Sequence, residues 1–255
     1  MLAPRCRVIL FRVVPLCICA LLLAGGGAYC SGAPSREELL ERPAAGVVAG
    51  SNVNVRDRPS TKGKSLGRLG EDGYWEELVV VDAAPGDDGR IWYKILSEKL
   101  GEGWMHGRFL RFEGLDDPLG RFFMTLRRDF GTNPAMTERR LGKPLKTERK
   151  TFRPEDYPED VTSVDLRYPG GNVVFWIMRK VPFLVEADFE EGVAFGPIAF
   201  GDDSEKVERL LGDPHEVRNR VWTYHSGMRR VHIGFGLGPN GEAAVNRLIF
   251  ERDAY

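Results

Sequence analysis

The chain has 255 residues, 42% of them hydrophobic and 29% charged, with a formal net charge of −1. That length and composition suit one large or two modest globular domains. The near-neutral balance argues against a general nucleic-acid binder and leaves only a local basic patch open. All four cysteines, Cys6, Cys17, Cys19 and Cys30, lie at the N-terminus. Beyond residue 30 there can be no disulfide framework, thiolate nucleophile or cysteine metal site.

Arg5, Arg7 and Arg12 precede an apolar run, VVPLCICALLLA, and then GGGAYCSGA. A basic start, a short apolar core and small residues have the layout of a secretory signal. The run falls short of the roughly 20 residues of a membrane span, and extending it back to Val8 would bury Arg12. Residues 1–33 are therefore expected to be a signal peptide, with Ser31-Gly32-Ala33 permitting cleavage after Ala33. The alternative is acylation of Cys30, although Tyr29 stands where a small residue is wanted. The protein is expected to be exported to the periplasm or cell surface, touching the membrane only through the signal or a lipid on Cys30. Residues 34–46 read as a polar linker or tether, in which Ser35 and Glu38 can form a capping box for a two-turn helix.

Residues 47–113 alternate short Val-, Tyr- and Trp-rich runs with Gly-, Pro-, Asp- and Ser-rich turns. About five strands in so short a stretch predict a small barrel, with Trp75, Trp92 and Trp104 supplying much of its core. Asn54-Val55-Arg56 followed by Pro59, Leu66-Gly67 and Leu69, Trp92-Tyr93-Lys94-Ile95, Gly103-Trp104-Met105 and Phe109-Leu110 together resemble the bacterial SH3-like (SH3b) domain. The loop before Trp92, APGDDGR, is longer and more acidic than the minimal pattern of that family. The resemblance implies a module that recognises cell-wall peptide or an extended protein segment. Candidate contacts are Arg56, Trp75 and Tyr93, with Arg56 and Trp92 also serving the structural motif of the family.

No catalytic constellation accompanies this module. His106, His215, His225 and His232 form neither H-x-E nor H-E-x-x-H, and neither G-x-S-x-G nor a phosphate-binding G-x-x-x-x-G-K-[ST] loop occurs. His225 and His232 lie on neighbouring strands without an evident third ligand. No enzyme activity, cofactor or metal is expected.

The remainder carries an internal repeat. FGTNPAMTERRLGKP from Phe130 and FGDDSEKVERLLGDP from Phe200 align without a gap at an offset of 70 residues. In the second copy, Asp202, Asp203 or Ser204 caps a helix, Val207, Leu210 and Leu211 form its apolar face, and Gly212 and Pro214 end it. Strands follow over 217–224, 229–235 and 244–250, the last two joined through Asn240-Gly241. The first copy has a polar stretch after Pro144, an added loop around 153–160, and strands over 164–168, 172–178 and 181–187. Arg127-Arg128 and Glu138-Arg139-Arg140 read as solvated helix faces. The fold class expected is thus an all-β SH3-like small barrel followed by an α+β domain of two helix-plus-three-strand antiparallel repeats, over 118–190 and 191–255. The FG…LG-P element and the strands behind it resemble the fold shared by the β-lactamase inhibitory protein and the small lipoprotein of the outer-membrane barrel-assembly machine. No partner or inhibitory residue carries over from that resemblance.

Strand alternation separates two faces. Phe175 with Val231, and Ile177 with Ile233, should face the helices; Val174, Trp176, Arg230 and His232 should share the other face. That face suits a protein-binding surface with an aromatic anchor, unless Trp176 packs beneath the first domain or the 153–160 loop. The expected function is a non-catalytic, exported binding protein of the bacterial envelope whose partner is a cell-wall peptide or an envelope protein. The alternative is an inhibitor or regulator of an envelope enzyme.

Overall fold

The computed structural model describes residues 33–70, 76–154 and 158–253. The expected signal peptide, Cys30 and Trp75 lie outside the described residues. The described residues all belong to one compact unit.

That unit opens with α1 (Arg36–Glu41), whose capping box forms as expected: the Ser35 side chain accepts from Glu38 N, and the Glu38 carboxylate from Ser35 N. The segment is not a tether. Leu39 is fully buried among barrel side chains, and Arg36 donates to Asp82 at 2.8 Å. One apolar side chain in the helix is enough to dock it.

The barrel strands are β1 (Ala44–Val48), β2 (Val53–Arg56), β3 (Ser65–Leu69), β4 (Glu77–Pro85), β5 (Ile91–Ser97), β6 (Gly101–His106) and, after a 3₁₀ turn at Gly107–Phe109, β7 (Leu110–Glu113). They pair in the order β3-β2-β6-β5-β4-β1-β7. Bulges interrupt the register at Val55/Arg56 and Val80/Asp82, where extra residues let a small sheet curl. Val55, Leu78, Val80, Ile95 and Met105 fill its interior.

Next come α2 (Pro118–Phe130), α3 (Pro134–Leu141), β8 (Lys146–Phe152), β9 (Val161–Tyr168), β10 (Gly171–Met178), β11 (Val181–Phe189), α4 (Ser204–Leu211), β12 (Glu216–Arg218), β13 (Val221–Ser226), β14 (Arg229–Leu237) and β15 (Ala243–Arg252). The eight strands make one antiparallel sheet ordered β12-β13-β14-β15-β11-β10-β9-β8. Its two halves meet at β15 and β11, with Glu186 opposite Glu251 and Phe189 opposite Leu248. Each half holds four strands rather than the three expected. The polar stretch after Pro144 is the edge strand β8. The strand expected over 217–224 is two, because Asn219 and Arg220 both take positive φ and form a two-residue hairpin.

The repeated element sets matching helix ends. Asn133 and Asp203 cap α3 and α4, each accepting from a backbone amide three residues on. Gly142 and Gly212 end them at φ 87° and 77°, a region that suits glycine.

Helix α2 is the shared element. Asp117 caps it, Pro118 starts it, and Gly131 stops it at φ 88°. It packs on β1 and β4 of the barrel and also on α3, α4 and β13. Phe123 lies 6.0 Å from Phe250, and Phe130 lies 4.9 Å from Phe195. Val79 and Leu96 of the barrel belong to this same core. Arg127 is therefore not on a solvated face as expected: it is 2% exposed and bonds to Glu77 and Glu98 of the barrel. The barrel and α2 cover one face of the large sheet, and among the described residues no helix lies on the other face.

Candidate functional site

On β5 and β6 the residues alternate. Tyr93, Ile95 and Met105 point into the barrel, which leaves Trp92, Lys94, Trp104 and His106 on its outer side. Trp92 is nevertheless only 3% exposed, because the acidic loop 86–90 folds over it. The indole Nε1 of Trp92 donates to Asp88 Oδ1 at 3.2 Å. His106 packs on Trp92 with ring centres 5.3 Å apart and lies 3.1 Å from Asp88 Oδ2. Burial alone would raise the Asp88 carboxyl, but donors from Arg90 N and Trp92, with His106 nearby, outweigh it and hold it below its ordinary value. Gly86 is needed here, since a Cβ would fall 2.3 Å from Trp92 Nε1.

Asp87 ties this loop to the loop at 57–64. It accepts from Ser60 Oγ at 2.7 Å and Thr61 N at 3.1 Å, and the Ser60 hydroxyl, then the Thr61 amide, lower its pKa. The departure from the minimal SH3b loop thus has a structural role: its two acids fasten the rim of the aromatic face. Phe109, with Arg108 stacked over it at 4.3 Å, extends that face beyond His106.

Of the described barrel residues singled out from the sequence, Arg56 shares this face, opposite Trp104 on the neighbouring strand, and Tyr93 does not. Arg56 donates to Gly63 O at 2.6 Å and braces the 57–64 loop. Tyr93 is 7% exposed and sits edge-on to Phe112 at 5.1 Å, so it is a core residue and no surface contact. Trp75 lies outside the described residues. Sequence reasoning missed Trp104, His106 and Asp88. The signal was the parity of β5: once Ile95 is assigned to the core, Tyr93 must follow it inward and Trp92 must face out.

The open face of the large sheet carries the other four candidates. Phe175, Val231 and Ile233 are fully buried on the helix side, and Ile177 is partly so, as the alternation predicts. Val174, Trp176, Arg230 and His232 are half-buried on the opposite side. They do not converge, because β11 and β15 lie between β10 and β14, a separation of about 14 Å at ordinary strand spacing. Trp176 meets Phe152 edge-on at 5.4 Å and pairs across strands with Phe183. It does not pack beneath the barrel, which is on the far side of the sheet. Arg230 holds Asp253 through two contacts at 2.5 and 2.6 Å. His232 spans Thr223 Oγ1 at 2.9 Å and Glu251 at 3.2 Å. His225 lies on His215, ring centres 4.0 Å apart, rather than beside His232. Among the described residues, no group of three His, Cys, Asp or Glu side chains could hold a metal ion, and no helix is long and apolar enough to cross a membrane. In the 153–160 insertion, Arg153 pairs with Asp160, and Glu159 with Arg179 at the β10–β11 turn.

Residues 51–111 match the family described as the bacterial SH3 domain. Domains of that kind generally bind cell-wall peptides or proteins. No match was found among curated proteins or among solved structures.

Proposed function

We propose that this protein is a non-catalytic, exported binding protein of the bacterial envelope, its SH3-like barrel taking up peptidoglycan or an extended peptide. The match to the bacterial SH3 domain over 51–111 carries this reading. The outer face of β5 and β6 supports it, because Trp104, His106 and Phe109 line one side of a barrel rimmed by two tied loops. Aromatic rings of this kind can stack on the flat groups of a peptide, while Lys94 and Arg108 supply charge at the edge. The signal layout of residues 1–33 supports export. The test is co-sedimentation of the exported protein with purified peptidoglycan. Retention that falls at least tenfold on Trp104→Ala supports the reading; a protein that stays wholly in the supernatant refutes it.

A second reading, regulation of an envelope enzyme through a protein-binding surface on the tandem half, draws on the open sheet face. Phe152, Trp176 and Phe183 form an aromatic corner there with no helix over it among the described residues. The 70-residue repeat and the resemblance to the β-lactamase inhibitory protein fold motivate it. Crosslinking in the native envelope distinguishes the two: this reading requires a captured enzyme that is lost on Trp176→Glu and kept on Trp104→Ala.

A further inference from the structure

The helix between barrel and sheet also walls a cleft. Pro118, Arg121, Phe122, Thr125 and Arg128 recur at helical spacing on one side of α2 and line a cavity of 670 Å³. The last turn of α4 forms the opposite wall, and Glu41 and Arg42 close one end. The size falls within the range of ligand sites, roughly 300–1,000 Å³.

Two observations set it apart from a packing gap. The first is charge. Arg42, Arg121, Arg128 and Arg209 line it against Glu41 and Asp116, in a chain of net charge −1. Among the described residues, Arg128 alone of the four is held by a close carboxylate, Asp129 at 2.7 Å. Glu41 reaches Arg42 only at 3.9 Å between exposed side chains, and Arg209 makes no ion pair among the described residues. The second is Arg121 itself. Its Nη2 donates to Arg42 O at 2.5 Å, while its Nε is buried with no hydrogen-bond partner among the described residues. Burial, then the adjacent Arg42, depress this guanidinium. An unpaired buried donor is a costly arrangement, and a turn of the Arg121 side chain toward an acceptor in the cleft would relieve it.

We propose that this cleft binds a short peptide carrying a carboxylate beside an apolar side chain, with the carboxylate held between Arg121 and Arg209 and the apolar group resting on Phe122 and Leu210. Guanidinium groups match carboxylates in shape as well as charge. Arginines and apolar groups are interspersed along the whole α2 wall, which suits a peptide better than a hydrocarbon chain needing an unbroken apolar channel. The site is separate from the aromatic face of the barrel and from the open face of the sheet.

The experiment is an NMR titration of the full chain, labelled with ¹⁵N, using N-acetyl-Leu-Glu-Leu-amide as probe. Saturable shifts of the Arg121 Nε–H and of the Leu210 and Leu211 amides are expected. Affinity should fall at least tenfold when glutamine replaces the glutamate of the probe, and likewise in Arg209→Met, whose exposed side chain can be removed without unfolding α4. Arg121→Met, checked for intact fold by its spectrum, should lose binding too. The proposal is overturned if no shift occurs up to about 10 mM, an affinity too weak to matter. It is equally overturned if the glutamine probe or Arg209→Met binds as tightly, or if sodium decanoate shifts these signals and the peptide does not.

Discussion

Arg127 of α2 donates to the Glu77 carboxylate of β4 at 2.9 Å and to the Glu77 carbonyl at 3.0 Å, and this pair binds the barrel to the rest of the fold. Arg127 also reaches Glu98 at 3.1 Å, Arg229 reaches Glu77 at 2.7 Å, and Arg252 reaches Glu98 at 2.5 Å. Three arginines from α2, β14 and β15 thus converge on two barrel carboxylates. Glu98 is 4% exposed, so removing Arg127 leaves a charge that water cannot reach, with Arg252 as its one remaining arginine partner among the described residues. Arg127→Met should cost about 3 kcal/mol, the low end of the penalty for breaking a buried pair, because Arg229 and Arg252 still partner Glu77 and Glu98. Urea unfolding read by tryptophan fluorescence checks this. The barrel and sheet should also cease to unfold together, because Trp92 and Trp104 report on one and Trp176 and Trp222 on the other. A single, unshifted transition would contradict the coupling.

Neighbouring carboxyls on this seam should respond to pH in opposite senses. Glu76 is buried, accepts from Ser97 Oγ at 2.7 Å and Glu98 N at 2.5 Å, and is pushed above its ordinary 4.5 chiefly by burial, with the Glu98 charge adding to it. Its folded form holds the proton more tightly than the unfolded chain does. Its contribution to stability is therefore complete below pH 4.5 and is lost as pH rises through the raised value. Glu77 is also subject to burial, but Arg127 and Arg229 outweigh it and hold the carboxyl below 4.5. Its contribution is complete above that value and is lost on acidification. Glu76→Gln keeps the hydrogen-bond acceptor and removes the charge, so the variant should gain stability over the parent as pH climbs from 4.5 toward about 7. Urea midpoints measured across that window test it; a difference that does not vary with pH would count against burial as the cause.

The parts of this fold legible in the sequence are those whose local chemistry and tertiary role agree. Asn133, Asp203, Gly142 and Gly212 are cap and stop residues by type, and they act as such. The β10 and β14 faces follow from alternation because Phe175, Val231 and Ile233 are apolar where the core needs them. What stayed hidden depends on distant partners. Strand β8 reads KTERKTF and has no apolar period, since it is an edge strand with neither face fully buried. The hairpin at Asn219-Arg220 lacks the glycine that marks such turns. Arg127 looks like any surface arginine until Glu77 and Glu98, remote in sequence, surround it. The site was less legible than the fold. Trp92 and Tyr93 are adjacent aromatics; parity with Ile95 sends Tyr93 inward and Trp92 out, but the cover that Asp88 and its loop place over Trp92 depends on tertiary contacts that β5 alone does not show.

The two halves of the sheet differ at one matched pair of buried hydroxyls. Tyr224 donates to Gly212 O, at the end of α4, at 3.2 Å. The hydroxyl of Tyr168, buried in the other half, has no partner among the described residues; burial, helped by the charge of Glu138, pushes it up to about 12. Tyr224→Phe should destabilise by about 1 kcal/mol through the lost hydrogen bond. Tyr168→Phe removes an unsatisfied polar atom and should be neutral or stabilising. Thermal unfolding of the two variants side by side gives the comparison, and equal losses would show that the two hydroxyls are equally satisfied.

Asp87 offers a way to test the aromatic face without touching an aromatic residue. It holds loop 86–90 to loop 57–64 through Ser60 and Thr61, and the same loop keeps Trp92 covered. Asp87→Ala removes that tie but leaves the Asp88 contact with Trp92 and His106 in place. Hydrogen exchange at Trp92 Nε1 and at the Thr61 amide should quicken, since both rely on a loop that is now held at one point instead of two. Asp88→Asn is the complementary change: it retains the shape and removes the charge that faces His106, so it should quicken exchange at both sites less than Asp87→Ala does and should chiefly weaken the His106 contact. If the rings of this face take up wall peptide, loosening the loop exposes more of Trp92 and sedimentation with peptidoglycan should rise in Asp87→Ala. Unchanged sedimentation together with faster exchange would place the binding surface elsewhere on the barrel.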